Sequence, residues 1–184
     1  FISEFENKFA DYIQVDYAST VSNGTVALHL ALMALSIGKD DEVILPTLSY
    51  VASANAVNYV GAKPIFIDSE KYSWNIDTNK IEAMITSKTK AIMAVHIYGA
   101  TCNMEELKKI CERNNLYLIE DVAEGFGSKF KNKYAGSFGD ISTFSFYGNK
   151  TITTGEGGMV VCNKKTLIEK VKYLKNQAVS NTKE

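Results

Sequence analysis

Stretches whose apolar residues recur every three or four positions alternate, along this 184-residue chain, with short runs that are apolar throughout. FISEFENKFADYI opens with Phe1, Phe5, Phe9 and Tyr12 on one face, the spacing of an amphipathic helix. VDYASTV reads as a short strand, and after SNGT the stretch TVALHLALMALSI is strongly helical and ends at Gly38. EVILP predicts a buried strand over 42–45, closed by Pro46, and YVASANAVNYV a helix running to Gly61. KPIFID predicts a strand over 63–67, and Asp77 is placed to cap a helix over IDTNKIEAMI. TKAIMAVHIYG reads as a long apolar strand over 90–97, followed by a helix over MEELKKICERN capped by Asn103. LYLIED predicts a strand over 116–120 with its charges at the carboxyl end. Beyond a glycine-rich loop, strands follow over 141–146 and 158–162, and KKTLIEKVKYLKNQ closes as a helix.

Strands that alternate with helices, and are apolar on both faces, predict a mainly parallel sheet covered by helices on two sides. The fold class is therefore α/β, in one domain over 1–184. In such sheets ligands bind beyond the carboxyl ends of the strands, so polar residues there are the first candidates for function. The chain opens at Phe1, already inside a helical pattern, and NQAVSNTKE stops without a closing element. Both ends read as those of a piece of a longer protein.

Composition narrows the classes. Net charge is −1 and the pI about 6.2, which gives no general affinity for nucleic acid or anionic membrane. No apolar run is long enough to span a bilayer. Three scattered cysteines, Cys102, Cys111 and Cys162, read as reduced thiols of a cytoplasmic protein, and with only two histidines they form no metal-ligand pattern.

Three strand ends carry candidate chemistry. SNGT lies between a strand and a helix, so Gly24, the Thr25 hydroxyl and the backbone N–H groups can face a phosphate at the positive helix end. An ordinary Asn-Gly turn with a cap has the same appearance. IEDVAEG brings Glu120, Asp121 and Glu124 near one another, and a carboxylate there can hold a protonated ring nitrogen; helix capping by Asp121 and solvation of both glutamates is the plainer alternative. FSFYGNKTITTGEGGMV sets Lys150 between aromatic residues and a run of threonine and glycine, surroundings that would desolvate an amine and make it a nucleophile. Ser145 precedes it by five residues and can donate to the same phosphate, and Tyr50 can lay its ring on a flat cofactor. A snorkelling lysine, a strand hydroxyl and a core tyrosine are the structural counterparts. Each signal alone is weak, but together they supply the parts that a pyridoxal phosphate enzyme needs.

The order SNGTVALHLAL, DEVILPTLSYVASANAV, GAKPIFID, TKAIMAVHIYG, LIEDVAEGFGS and GSFGDISTFSFYGNKTITTGEGGMVV resembles the sugar aminotransferases of the DegT/DnrJ/EryC1/StrS group over practically the whole chain. The resemblance implies the large domain of an aspartate-aminotransferase-type (fold type I) enzyme, with the extreme N-terminus and a smaller C-terminal domain absent from this chain. It implies pyridoxal 5'-phosphate as cofactor, and Lys150 as the lysine that binds it covalently. Asp121 matches the partner of the pyridine nitrogen, and Gly24, Thr25 and Ser145 match the phosphate ligands. Tyr50 matches the residue stacked on the ring. Glu124 falls beside the phenolic oxygen, where many relatives carry glutamine. YGNKTITTGEGGMVV and EDVAEGFG are most similar to the branch that aminates GDP-4-keto-6-deoxymannose. That branch implies glutamate as donor, 2-oxoglutarate as co-product, a homodimer with shared sites, and a place in O-antigen or other lipopolysaccharide synthesis.

Three rivals fit less well. Sugar dehydratases of the same fold carry histidine where this chain has Lys150, and a non-catalytic relative would have lost Lys150 or Asp121. A plain dinucleotide-binding domain would need G-x-G-x-x-G after the first strand, which SNGT does not supply.

Overall fold

In the computed structural model, which describes residues 1–179, the apolar runs pair into one seven-stranded sheet. The end of the NQAVSNTKE tail, residues 180–184, lies outside the described residues. In chain order the elements are α1 (Ile2–Ile13), β1 (Tyr17–Val21), α2 (Gly24–Ala34), β2 (Glu42–Pro46), α3 (Val51–Tyr59), β3 (Lys63–Ile67), β4 (Thr89–Val95) and α4 (Met104–Asn114). They continue with β5 (Tyr117–Asp121), a two-residue hairpin of β6 (Lys129–Phe130) and β7 (Lys133–Tyr134), then β8 (Ile141–Ser145), β9 (Gly158–Cys162) and α5 (Lys165–Lys175). The sheet order is β1-β9-β8-β5-β4-β2-β3. The five strands from β8 to β3 are parallel, and β9 runs antiparallel to both of its neighbours.

Side chains alternate across each strand, and both faces are covered. Val43 and Leu45 point to a core shared with α2, α3 and α5, whereas Ile44 joins Ile92 and Leu118 against α4. A third cluster packs Phe9 and Ile13 of α1 on Phe144, Met159 and Val161. Burying a side chain such as Ile44 or Ile92 stabilises the fold by about 1.5–3 kcal/mol. This two-sided burial is why the strands read as continuous apolar runs.

Three differences from the sequence reading have physical reasons. IDTNKIEAMI is not an α-helix but two single 3₁₀ turns, Thr78–Lys80 and Glu82–Met84, although Asp77 does cap the first by accepting from the Asn79 N–H. Its anchors Ile76 and Ile81 are buried in one cluster and lie five residues apart, a spacing that an α-helix would turn to different faces. The strand expected to run to 97 ends at Val95, because the chain turns through Ile97–Gly99 with Tyr98 at φ 50°. The hairpin of β6 and β7 falls within the expected glycine-rich loop, because its strands are too short to show alternation.

Because β2, β4, β5 and β8 are parallel, Pro46, Val95, Asp121 and Ser145 all end at the same edge of the sheet. The fold thereby gathers residues as far apart in the chain as Pro46 and Ser145.

Candidate active site

A cavity of about 500 Å³ opens beyond that edge, lined among others by Gly24, Thr25, Tyr50, Asp121, Glu124, Ser145 and Lys150. Seven of the eight candidates singled out from the sequence therefore meet in one pocket, Glu120 being the exception.

One wall is the start of α2. The Asn23 side chain accepts from the Val26 N–H at 2.9 Å and its carbonyl from the Ala27 N–H at 3.0 Å. The Gly24 and Thr25 N–H groups precede the first intrahelical bond, so this is the positive end of the helix. Gly24 lies against the end of β8, where an added Cβ would stand 2.7 Å from Ser145 Cβ. Only glycine lets helix start and strand end approach so closely.

Asp121, the last residue of β5, forms the floor with only 5% of its surface exposed. Its Oδ2 accepts from Ser53 Oγ at 2.8 Å and its Oδ1 from the Ala123 N–H at 3.1 Å. Burial pushes the Asp121 carboxyl above its ordinary pKa, opposed by the bonds from Ser53 and Ala123 and by the positive field of Lys150. Tyr50 sits at the N-cap of α3 and is 72% exposed, so it rims the cavity and is not a core residue.

Lys150 follows β8 in the turn that returns to β9, its side chain only 18% exposed. Its sequence neighbours are uncharged, but the fold brings the Glu124 carboxylate to 3.8 Å from Nζ. The other Glu124 oxygen accepts from the Tyr98 N–H at 2.7 Å, which fixes the carboxylate toward the lysine.

Glu120 does not join this group, and it is not solvated either. Strand alternation turns it to the opposite face, where it is wholly buried. There it accepts from the N–H groups of Gly136, Phe138 and Gly139 at 2.9, 2.8 and 2.6 Å, and from Ser142 Oγ at 3.2 Å. His96 stands 3.0 Å away through Nε2, and its Nδ1 accepts from the Cys102 N–H at 3.1 Å. With Nδ1 an acceptor, the proton lies on Nε2 and points at Glu120. Burial alone would raise the Glu120 pKa, yet His96 and the backbone donors hold it below the ordinary value. Glu120 therefore anchors the 136–139 loop to the start of β8.

Sequence reasoning missed Ser53 and His96, and also Asn149 and Tyr147 on the cavity wall. Ser53 had a usable signal. It stands three residues after Tyr50 and so shares its helix face.

Comparison with known proteins bears on this arrangement. The sequence profile described as the DegT/DnrJ/EryC1/StrS aminotransferase family matches residues 1–184. A GDP-perosamine synthase of Escherichia coli O157:H7 is 60% identical over 180 residues, covering 98% of this chain and 50% of the relative. An aminotransferase structure from Psychrobacter cryohalolentis superposes with a TM-score of 0.96 at 39% identity, over 98% of this chain and 46% of that one. NtdA of Bacillus subtilis, solved with bound cofactor PMP, gives 0.90 at 34% identity, over 100% and 42%. The chain thus spans about half the length of the curated relatives it matches. The neighbours bear out the aspartate-aminotransferase-type fold expected from the resemblance. With its profile matched from end to end, the chain belongs to the DegT/DnrJ/EryC1/StrS aminotransferase family.

Proposed function

We propose that this chain is the cofactor-binding half of a pyridoxal phosphate-dependent aminotransferase. It would move an amino group from glutamate to carbon four of a nucleotide-linked keto-deoxysugar, GDP-4-keto-6-deoxymannose. The observation that carries this reading is the meeting of a buried carboxylate, a lysine amine and a glycine-opened helix start around one cavity of about 500 Å³. The sugar assignment draws on the 60% identity to a GDP-perosamine synthase.

The donor set fits the cofactor group by group. Gly24 and Thr25 at the start of α2, with the Ser145 hydroxyl beside them, would hold a phosphate. The Asp121 carboxylate, anchored from behind by Ser53 and Ala123, would hold a protonated ring nitrogen. Tyr50 would lie on the ring, and Glu124 would stand by its phenolic oxygen. When bound, pyridoxal phosphate supplies a carbonyl that takes up the amino group and a ring that withdraws electrons from the reacting bond.

The chain's own residues do the rest. Asp121, kept ionised, holds the ring-nitrogen proton in place. Lys150 would hold the cofactor and, with its amine free, would be the base beside the reacting carbon. Its Nζ takes the proton from the carbon that bears the amine, and Glu124 at 3.8 Å balances the ammonium so formed. Proton transfer by a positioned group of this kind contributes about a hundred- to ten-thousandfold. The working enzyme is a homodimer whose sites are completed by the second subunit and by the remainder of the chain, acting in surface-glycan synthesis in the cytoplasm.

Incubation of the full-length protein with glutamate and a panel of nucleotide keto-sugars, with product masses measured, tests this. Amination of GDP-4-keto-6-deoxymannose ahead of uridine- and thymidine-linked sugars is expected. Failure to aminate any of them would overturn the assignment.

A further inference from the structure

Asp121 is gripped by a pair of hydroxyls that come from a different element. Ser53, enclosed in α3, donates to Oδ2 across 68 positions of chain, and Ser49 Oγ stands 2.8 Å from Ser53 Oγ. A hydroxyl has one proton to give. While Asp121 is ionised, that of Ser53 goes to Oδ2, so Ser49 must donate to Ser53. Ser49 also lies 3.0 Å from the Tyr50 carbonyl. Were Asp121 to take up a proton, the bonds could reverse, running from Asp121 to Ser53, to Ser49 and on to that carbonyl.

We propose that Ser53, backed by Ser49, is a positioning residue that holds Asp121 ionised and aimed into the cavity. The ligand it serves, the ring nitrogen, rests on the function proposed above, but the action on Asp121 does not. A hydrogen bond to the charged form of a carboxyl favours that form, most strongly where water is excluded. The other titratable groups at the cavity are His96 after β4, Lys150 after β8, Glu124 after β5, and Tyr50, Tyr147 and Glu156 on its walls. Of these, Lys150 favours the ionised carboxyl and burial opposes it. A serine donor therefore acts against the desolvation that the site needs for its own chemistry.

The test uses full-length protein stripped of cofactor and labelled with carboxyl-¹³C aspartate, the Asp121 signal being assigned by Asp121→Asn. Its titration is followed by NMR, and pyridoxal phosphate affinity is measured across the same pH range by equilibrium dialysis. Ser53→Ala should raise the pH of Asp121 titration by about one unit, which is a tenfold change in its proton affinity. It should weaken cofactor binding about tenfold below the parent's midpoint. Ser53→Thr, which keeps the hydroxyl, should restore both, and Ser49→Ala should shift the titration the same way by less. If Ser53→Ala does not fold, Ser53→Cys fills the same space with a weaker donor and should show the upward shift. An Asp121 signal that titrates in Ser53→Ala or Ser53→Cys where it does in the parent overturns the proposal. A parent that binds no pyridoxal phosphate would instead sink the proposed function, and the carboxyl titration would still decide the role of Ser53.

Discussion

Replacing Gly24 by alanine puts one methyl group at the junction on which the phosphate site depends. The new Cβ would stand 2.7 Å from Ser145 Cβ, 3.1 Å from its Oγ and 3.4 Å from its Cα, so two of the three contacts are closer than ordinary van der Waals distance. Gly24 is not in the left-handed region, so the cost is steric and not one of backbone strain. The obstruction cannot swing away, because Cβ and Cα of Ser145 are fixed by the pairing of β8 with β9. Either α2 or the strand end must shift, and overpacking of this kind costs about 1–3 kcal/mol. The same shift separates the helix start from Ser145, and a hydrogen bond to a charged group is worth about 1.5–3 kcal/mol. Loss of one such bond gives a ten- to hundredfold weaker affinity for pyridoxal phosphate. Thermal denaturation and equilibrium dialysis on the full-length Gly24→Ala protein measure both effects. A variant with unchanged Tm and unchanged affinity would refute the reasoning about this contact and about the phosphate site together.

Other outcomes follow from the same geometry. Lys150→Arg keeps a cation beside Glu124 but cannot give up a proton near neutral pH, so transamination should vanish as completely as in Lys150→Ala; near-normal turnover in the arginine variant would exclude the catalytic role. Glu120→Gln removes a wholly buried charge from donors that remain in place, and should cost on the order of 3–5 kcal/mol by urea denaturation. Since the folded pKa of Glu120 is depressed, its stabilisation is present above the unfolded value of 4.5 and lost as pH falls through the folded one. The variant should therefore lose stability less steeply below pH 4.5, and a parallel acid-unfolding curve would count against the buried anion. Burial pushes the Cys111 thiol up to about 12, with Asp140 and Glu112 adding to it, so iodoacetamide at pH 8 should leave Cys111 unmodified in the native protein and label it in denaturant. Peptide mapping that found it labelled in the native state would contradict the burial.

Much of the fold was legible because the strands are buried on both faces. EVILP and GGMVV are almost uniformly apolar, since Val43 and Ile44 face different cores, and so do Val160 and Val161. Capping was legible too: Asn103 accepts from the Glu106 N–H as its position implies. IDTNKIEAMI misled because it has helix-forming residues and a cap, yet tertiary packing of Ile76 and Ile81 decided its path. The strand-end rule located the candidate site, and parallel pairing brings its residues together. What stayed hidden was the support behind them. The bond from Ser53 to Asp121 closes a separation of 68 residues, and its only local mark in YVASANAV is the spacing of Ser53 from Tyr50. The parting of Glu120 from Asp121 follows from strand alternation, but its backbone donors come from the 136–139 loop, whose path no periodicity describes.

The central claim is that Lys150 is the residue to which the cofactor is joined, and covalent trapping tests it most directly. The full-length protein, loaded with pyridoxal phosphate, would be treated with borohydride, digested, and its peptides sequenced by mass spectrometry. The account predicts a stable pyridoxyl group on the peptide that contains YGNKTITTGEGG, attached at Lys150, and none there in Lys150→Arg. A pyridoxyl group fixed on another lysine, with Lys150 unmodified, would contradict it.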